Sequence, residues 1–429
     1  MEIILIITLC ILLGFLVFIK PTLGLGIILL STLFLPEVQF GTVATAMGGK
    51  REISLRPEDF FLILVALGWL VERTLRRQPP SIISTPINLP IIILSIVMIL
   101  STLLGIMAGT TSTGAGFLYT LKRIQYFVVF FLVIGNIRTL KDVRNNVTLL
   151  LLFAAGVAIW SIAEYFISAS RIRGPFLRYG QPPILAGFFL IIMFLGLGFY
   201  MKYHTLREKL PMLLIILLSA LVIIFSKTRS SYVGGAVGLI IFSIIYRKPF
   251  LIIIPIFLLI IMGSLFEPEI QERAYSIQGV WNNPETSIVP SWDARVKAWE
   301  GVSDKIKNNP VFGLGAGSYH LGWIDNQYVM DAVYMGLFGV AVFIWLLIKI
   351  FRNVYPLKKA ALSSESDDDI YISALSAGYL GGLIALLVQG LAVTNFYTVR
   401  TMIPFWFLSG LVMVAYHLYH QKISPASHT

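Results

Sequence analysis

The stretch PILAGFFLIIMFLGLGFYM, residues 183–201, decides the fold class. It contains no charged side chain and is close to the ~20 residues that an α-helix needs to cross the core of a bilayer. Runs of the same kind recur on both sides of it, at about 3–19, 22–36, 57–72, 87–108, 117–135, 146–168, 211–226, 231–246, 249–265, 327–350, 370–393 and 400–418. The first two are separated only by Lys20-Pro21, so they are either two spans or one broken element. The expectation is an all-α polytopic integral membrane protein with about 12–13 transmembrane helices and one large outer-face loop.

Composition agrees. Of 429 residues, 57% are hydrophobic and 13% charged, and the mean hydropathy is +0.83. Soluble chains carry about a quarter charged residues, so a soluble multidomain enzyme and a disordered scaffold are both excluded. The runs are also too long and too continuous for the alternating ~10-residue strands of an outer-membrane barrel. A net charge of +11 would point to nucleic acid in a soluble protein. Here it has a plainer cause, since Lys and Arg collect in short cytoplasmic loops, and no nucleic-acid partner is expected. The single cysteine, Cys10, rules out a disulfide framework. The first apolar run has neither a basic leading region nor a small-residue cleavage site, so no cleavable signal peptide is expected.

The basic loops alternate along the chain. They hold Arg73, Arg76 and Arg77; Arg138, Lys141 and Arg144; Lys202, Arg207 and Lys209; Arg247 and Lys248; and Lys349, Arg352, Lys358 and Lys359. Positive-inside bias assigns them to the cytoplasm. The uncharged loop 109–116 and the long hydrophilic insertion near 266–326 then lie outside. The expected organisation is a bundle of ten spans over 1–265, the outer loop 266–326, the last spans over 327–418 and a cytoplasmic tail, 419–429. Within the loop, Ser291–Ile306 places Trp292, Val296, Trp299 and Ile306 on one helical face, with Ser291 as N-cap. Such a helix either lies at the membrane surface or over the bundle, or caps a small core of the loop itself.

Three groups of cations break the positive-inside pattern: Arg171, Arg173 and Arg178; Lys227 and Arg229 in a very short outer turn; and Arg295 with Lys297 on the loop helix. A cation near the hydrocarbon boundary is costly unless it is paired or lines a cavity. The plain reading is snorkelling to outer headgroups, which is preferred for Arg171, Arg178 and Lys297. The functional reading is a convergent site for a lipid-linked phosphate or pyrophosphate, because the guanidinium fork matches phosphate oxygens.

The next group is NNPVFGLGAGSYHLGWIDNQYVMDAVYMGLFG, residues 308–339. Gly313, Gly315 and Gly317 are followed by no GK[ST], so a nucleotide loop is rejected and the glycines are read as tight turns against the membrane surface. Asp325 precedes a long apolar span. It is either that helix's N-cap or a general base that accepts a proton from a hydroxyl nucleophile, with His320 as the competing base. No metal-ligand spacing and no nucleophile elbow is present.

In this order these features resemble the O-antigen polymerase/ligase superfamily, from about residue 120 onward. The features are Arg173-Gly174-Pro175-Phe176, the turn Lys227-Thr228-Arg229-Ser230-Ser231, Arg295 in an Arg-x-x-x-Trp context, Pro310-x-x-Gly313-x-Gly315, and Asp325-Asn326-Gln327-Tyr328 leading to Gly336-Leu337-x-Gly339. The resemblance implies a GT-C-like glycosyltransferase of the bacterial inner membrane, working on the periplasmic or outer face without metal, cofactor or nucleotide sugar. It would move a glycan from undecaprenyl pyrophosphate to a hydroxyl, with inversion. Arg229 and Arg295 match the family's essential arginines. Arg173, Lys227, His320, Asn326 and Tyr328 are the further candidate substrate and pyrophosphate contacts. Ligases of this family typically carry a histidine where this chain has Asp325, so the carboxylate fits a polymerase better. Gln181-Pro182-Pro183 departs from the family's usual Pro-Asn pair, and no role is assigned there.

The reading is therefore polymerisation of lipid-linked repeat units, with donor and acceptor both on undecaprenyl pyrophosphate and a chain-length regulator as a further partner. The alternatives are a ligase that uses lipid A core and, outside enzymes, a lipid-linked oligosaccharide flippase. Transport predicts internal repeats and charges buried at membrane depth. Neither is evident in the sequence, with Glu164 and Gln389 as the few polar exceptions.

Overall fold

A computed structural model describes residues 14, 17–18, 20–44, 50–75, 82–168, 171–175, 181–246, 248, 292–318, 324–359 and 366–423, without side-chain detail for 38–44, 50–55, 292–299 and 359. The helices are α1 Pro21–Phe34, α2 Pro57–Leu75, α3 Asn88–Met107, α4 Thr113–Asn136, α5 Leu140–Ser168, α6 Pro182–Lys202, α7 Leu206–Phe225, α8 Arg229–Tyr246, α9 Trp292–Asn308, α10 Gln327–Val354, α11 Asp367–Gln389 and α12 Val399–Ile423. Nine of the described helices are long and apolar enough to cross a membrane, namely α3 to α8 and α10 to α12. The expected run at 22–36 appears as the shorter α1, which starts at Pro21 after a non-helical Lys20, so the Lys-Pro pair does break the chain there. The run at 249–265, and nearly all of that at 3–19, lie outside the described residues.

The all-α class holds with one addition. Val38–Ala44 (β1) and Lys50–Leu55 (β2) form an antiparallel hairpin, Val38 opposite Leu55, with a bulge between Gln39 and Gly41. Hydropathy did not show it because the segment is too short and polar to resemble a span.

Helix starts follow local chemistry. Ser112 caps α4 by accepting from the Ala115 amide, Thr205 caps α7 from Glu208, and Ser366 caps α11 from Asp369. The centre is made by α6, α11 and α12, most of whose residues are buried, while α7 leaves most of its surface to lipid. The α6–α11 contact needs small residues. A Cβ on Gly198 would lie 2.4 Å from the Ala374 carbonyl and 2.6 Å from the Gly378 nitrogen. Without a hydrophobic drive between helices in lipid, such close backbone packing is the main adhesive.

Polar contacts draw the helix ends into two groups. At one end Arg144 pairs with Asp368 at 2.7 Å, Lys422 with Asp369 at 2.8 Å, and Ser373 Oγ donates to the Lys358 carbonyl at 2.6 Å. At the other, the starts of α8 and α10 seat on the end of α11. The candidate site lies at this second end.

Candidate functional site

Gln389, the last residue of α11, organises the site end. It is fully buried, and its Nε2 donates to the Pro183 carbonyl of α6 at 2.9 Å and to Ser231 Oγ of α8 at 2.7 Å. Two residues beyond it, the Leu391 carbonyl accepts from Asn326 Nδ2 at 3.0 Å, and the Gln327 amide donates to the Gly390 carbonyl at 2.8 Å. Arg229 lies two residues before Ser231, and Asp325 two residues before Gln327. The structure therefore anchors the segments that carry Arg229 and Asp325 on the same short piece of chain.

Two further contacts fix the loop and the turn that carry the cations. Glu164 near the end of α5 accepts from the backbone amides of Arg173, at 3.1 and 3.3 Å, and of Gly174, at 2.7 Å. Its lone pairs are thus used on the loop backbone, and the Arg173 side chain is left exposed. Arg171 donates through Nε to the Ser226 carbonyl at 3.1 Å and through Nη2 to the Lys227 carbonyl at 3.2 Å. Snorkelling was the preferred reading for Arg171. The structure instead uses it to tie the loop to the α7–α8 turn, because the last carbonyls of a helix lack intrahelical donors. In that turn Lys227 has φ +49°, the one non-glycine with positive φ among the described residues. A helix end of this kind usually takes Gly or Asn, so a lysine there, two residues before Arg229, accepts backbone strain.

Asp325 is half-buried, next to the fully buried Ile324. It is not the N-cap of α10. Asn326 fills that role, its Oδ1 accepting from the amides of Tyr328 at 2.9 Å and Val329 at 3.1 Å. The capping explanation for Asp325 is thereby removed. The same contacts give Asn326 a structural task. Tyr328 has one too, since its hydroxyl donates to the Leu387 carbonyl of α11 at 2.6 Å.

One turn below lies a buried ionic group that hydropathy reading overlooked. Arg123 Nη1 of α4 pairs with Asp331 of α10 at 2.9 Å, with side chains 4% and 1% exposed. Asp331 also accepts from the Tyr397 hydroxyl at 2.6 Å and from Gln327 Nε2 at 3.0 Å. Gln327 Oε1 accepts from the Phe396 amide at 3.0 Å, and the Arg123 guanidinium lies 4.3 Å from the centre of the Tyr397 ring. The expectation that no charges are buried within the spans is corrected here. The two charges answer each other directly, and both Asp331 oxygens accept further hydrogen bonds from protein donors. It therefore acts as a staple between α4, α10 and the chain leading into α12, rather than as the wall of a pathway. The signal in the sequence was one basic and one acidic residue, each inside an apolar run.

The glycines of 313–317 are also placed differently from the expectation. They do not turn at the surface; the loop enters the bundle. Leu314 and Ala316 are buried, and Gly313, Gly315 and Gly317 all have positive φ. Opposite them α10 is broken at Gly336, φ +66° and ψ −174°. The groups freed by the break pair with the loop: the amides of Leu337 and Phe338 donate to the carbonyls of Pro310 at 2.8 Å and Val311 at 3.3 Å. The Leu314 amide donates to the Val333 carbonyl at 2.7 Å, and Thr110 and Thr111 of the α3–α4 turn donate to the Leu314 carbonyl at 2.7 and 2.9 Å. Irregular backbone at this depth is tolerated because protein satisfies it. The arrangement ties the end of α9 to α10. Val302 of α9 is buried and Ile306 packs on the core, so this half of the helix lies over the bundle.

Of the expected site residues, Arg173, Lys227, Arg229, Asp325, Asn326 and Tyr328 are described. Arg295 has its backbone in α9 but no described side chain, and His320 and Arg178 lie outside the described residues. No group of three His, Cys, Asp or Glu side chains arranged to hold a metal occurs among the described residues.

A protein-family model described as O-antigen ligase matches residues 214–344. The matched segment begins in α7, takes in Lys227, Arg229, α9 and Asp325, and ends within α10, beyond the Gly336 break; Arg173 lies before it. Comparison with curated proteins gives no match.

Proposed function

We propose, on the premise that this segment is of the O-antigen polymerase/ligase superfamily, that the protein is a GT-C-like glycosyltransferase that polymerises undecaprenyl-pyrophosphate-linked repeat units. The observation that carries this reading is the shared anchoring of Arg229 and Asp325 on the end of α11, with Asn326 relieving Asp325 of capping. The acceptor hydroxyl attacks the anomeric carbon of the donor glycan. Its proton passes to Asp325, with His320 as the alternative base, and the bond from that carbon to the pyrophosphate oxygen breaks with inversion. Arg173, Lys227, Arg229 and Arg295 neutralise the charge that develops on the leaving undecaprenyl pyrophosphate. The leaving group is already activated, so fixed positive charge and positioning carry the rate without a metal or cofactor. Losing one such contact costs about 3–4 kcal/mol of barrier, by analogy with an oxyanion donor.

The proposed setting is the bacterial inner membrane, with this site on the periplasmic face and the basic loops in the cytoplasm. A chain-length regulator is a proposed partner. The second reading, transfer of the glycan to lipid A core, is favoured by the description of the matching family. The two separate on the acceptor. Purified protein given only the lipid-linked repeat unit should produce a size ladder that Arg229→Ala abolishes. Transfer to lipid A core with no ladder would establish the ligase, and inactivity toward both acceptors by folded protein would reject glycosyl transfer.

A further inference from the structure

At the opposite end of the bundle, lysines from two separate segments flank one phenol, and a third lysine follows it in the chain by two residues. Lys202 ends α6, Lys248 follows α8, and Lys358 sits in the 3-10 turn Tyr355–Lys359 after α10. The ammonium groups of Lys202 and Lys358 each lie 5.9 Å from the centre of the Tyr246 ring, and that of Lys358 lies 3.7 Å from the Tyr355 ring. Lys248 is held close to the end of α8 by its backbone, its amide donating to the Ser243 carbonyl at 3.0 Å and its carbonyl accepting from Ser243 Oγ at 2.7 Å.

None of the three pairs with a carboxylate among the described residues. Two acids at this end are engaged elsewhere, Asp368 with Arg144 and Asp369 with Lys422. Helix C-termini attract cations, and Lys358 does donate to the Ile245 carbonyl at 3.2 Å. That accounts for one proton of one lysine. It does not explain two ammonium groups converging on one tyrosine ring, with a third lysine two residues after it. The Tyr246 hydroxyl is likewise buried with no hydrogen-bond partner among the described residues. A buried donor without an acceptor and a cluster of cations without an anion lack the same thing.

We propose that Lys202, Lys248, Lys358 and the Tyr246 hydroxyl hold the phosphate of an anionic phospholipid headgroup. A phosphodiester supplies acceptor oxygens for the phenol and the ammonium groups and relieves their mutual repulsion. A lipid fits better than a soluble phosphate, because the lysines stand at the ends of membrane-length helices with apolar surface beside them. Ile244 is 67% exposed one turn from Lys248, and Tyr355 is 40% exposed. Acyl chains attached to the bound headgroup would cover that surface.

The test uses full-length protein in neutral detergent, equilibrated with phosphatidylglycerol and phosphatidylcholine in equal amounts, with retained lipid counted by native mass spectrometry. Wild type should retain phosphatidylglycerol selectively. Lys202→Gln with Lys358→Gln should lower its occupancy by roughly fivefold for each lysine removed. The matching pair of Arg substitutions should restore it, which separates charge from folding. A parallel thermal-stability arm uses inorganic phosphate alone. Equal retention of both lipids by wild type, or wild-type occupancy in the Gln variant, would overturn the proposal. Stabilisation by inorganic phosphate without lipid retention would reassign the site to a soluble anion and reject the lipid.

Discussion

Removing one partner of the Arg123–Asp331 pair should destabilise the protein strongly, and removing both should cost little more than removing one. Asp331→Asn leaves the Arg123 guanidinium, 4% exposed, without its counter-charge. Breaking a buried pair in this way costs about 3–5 kcal/mol. Arg123→Met leaves the Asp331 carboxylate with only the Tyr397 and Gln327 donors, and a cost in the same range follows. Were the two sites independent, the losses would add to about 6–10 kcal/mol. In Arg123→Met with Asp331→Leu no buried charge remains, and the residual cost is that of leaving the Tyr397 hydroxyl and the Gln327 amide unpaired, about 1–3 kcal/mol each. The double variant should therefore resemble a single variant, with a coupling of about 3 kcal/mol or more. Denaturation of the purified variants in detergent measures all three. Turnover read alongside should fall in the single variants, because the pair holds the first turns of α10, which follow directly on Asp325. Single variants within about 1 kcal/mol of wild type, or strictly additive losses, would refute the view of this pair as a closed staple.

Further outcomes follow from the site. Asp325→Asn should abolish turnover in protein that still folds, whereas Asn326→Ala should lose about 1 kcal/mol as a missing helix cap and keep measurable turnover; turnover retained by Asp325→Asn and lost by Asn326→Ala would reject the assignment. Lys227→Gly should gain roughly 1 kcal/mol by relieving the positive φ while it lowers turnover, and unchanged turnover would remove Lys227 from the leaving-group site. Glu164→Gln should weaken the hold on the Arg173–Gly174 amides and slow turnover much as Arg173→Ala does, with no further loss in the double variant. Gly336→Ala places a Cβ 2.2 Å from the Val311 carbonyl at a positive φ, so it should lower stability by about 3 kcal/mol or more, and a wild-type melting temperature would show that the break in α10 is absent.

Much of this protein was readable in the chain itself. Membrane-length apolar runs announce spans because a helix is the one open structure that satisfies its own backbone in lipid. Arg229 stood out because a cation in a short turn between two apolar runs needs a reason. Asp325 stood out as well, but its role did not, since a carboxylate before a helix reads equally as a cap. Only the neighbouring Asn326, seen to accept from the amides of Tyr328 and Val329, shows that the cap is not Asp325.

What the tertiary structure alone decided is which distant residues meet. Arg123 and Asp331 are 208 positions apart, and no local pattern says that one answers the other. The same holds for Gln389, which looked like an isolated polar exception and proves to join α6, α8 and α11 at the site. The glycines of 313–317 read as surface turns, because the sequence shows that backbone hydrogen bonds are unmade there and not where their partners are. Those partners lie at the Gly336 break and in the α3–α4 turn. Hydropathy and helix signals are properties of neighbouring residues, written within a few turns of the chain. The satisfaction of buried charges and freed backbone groups is a property of the packed bundle.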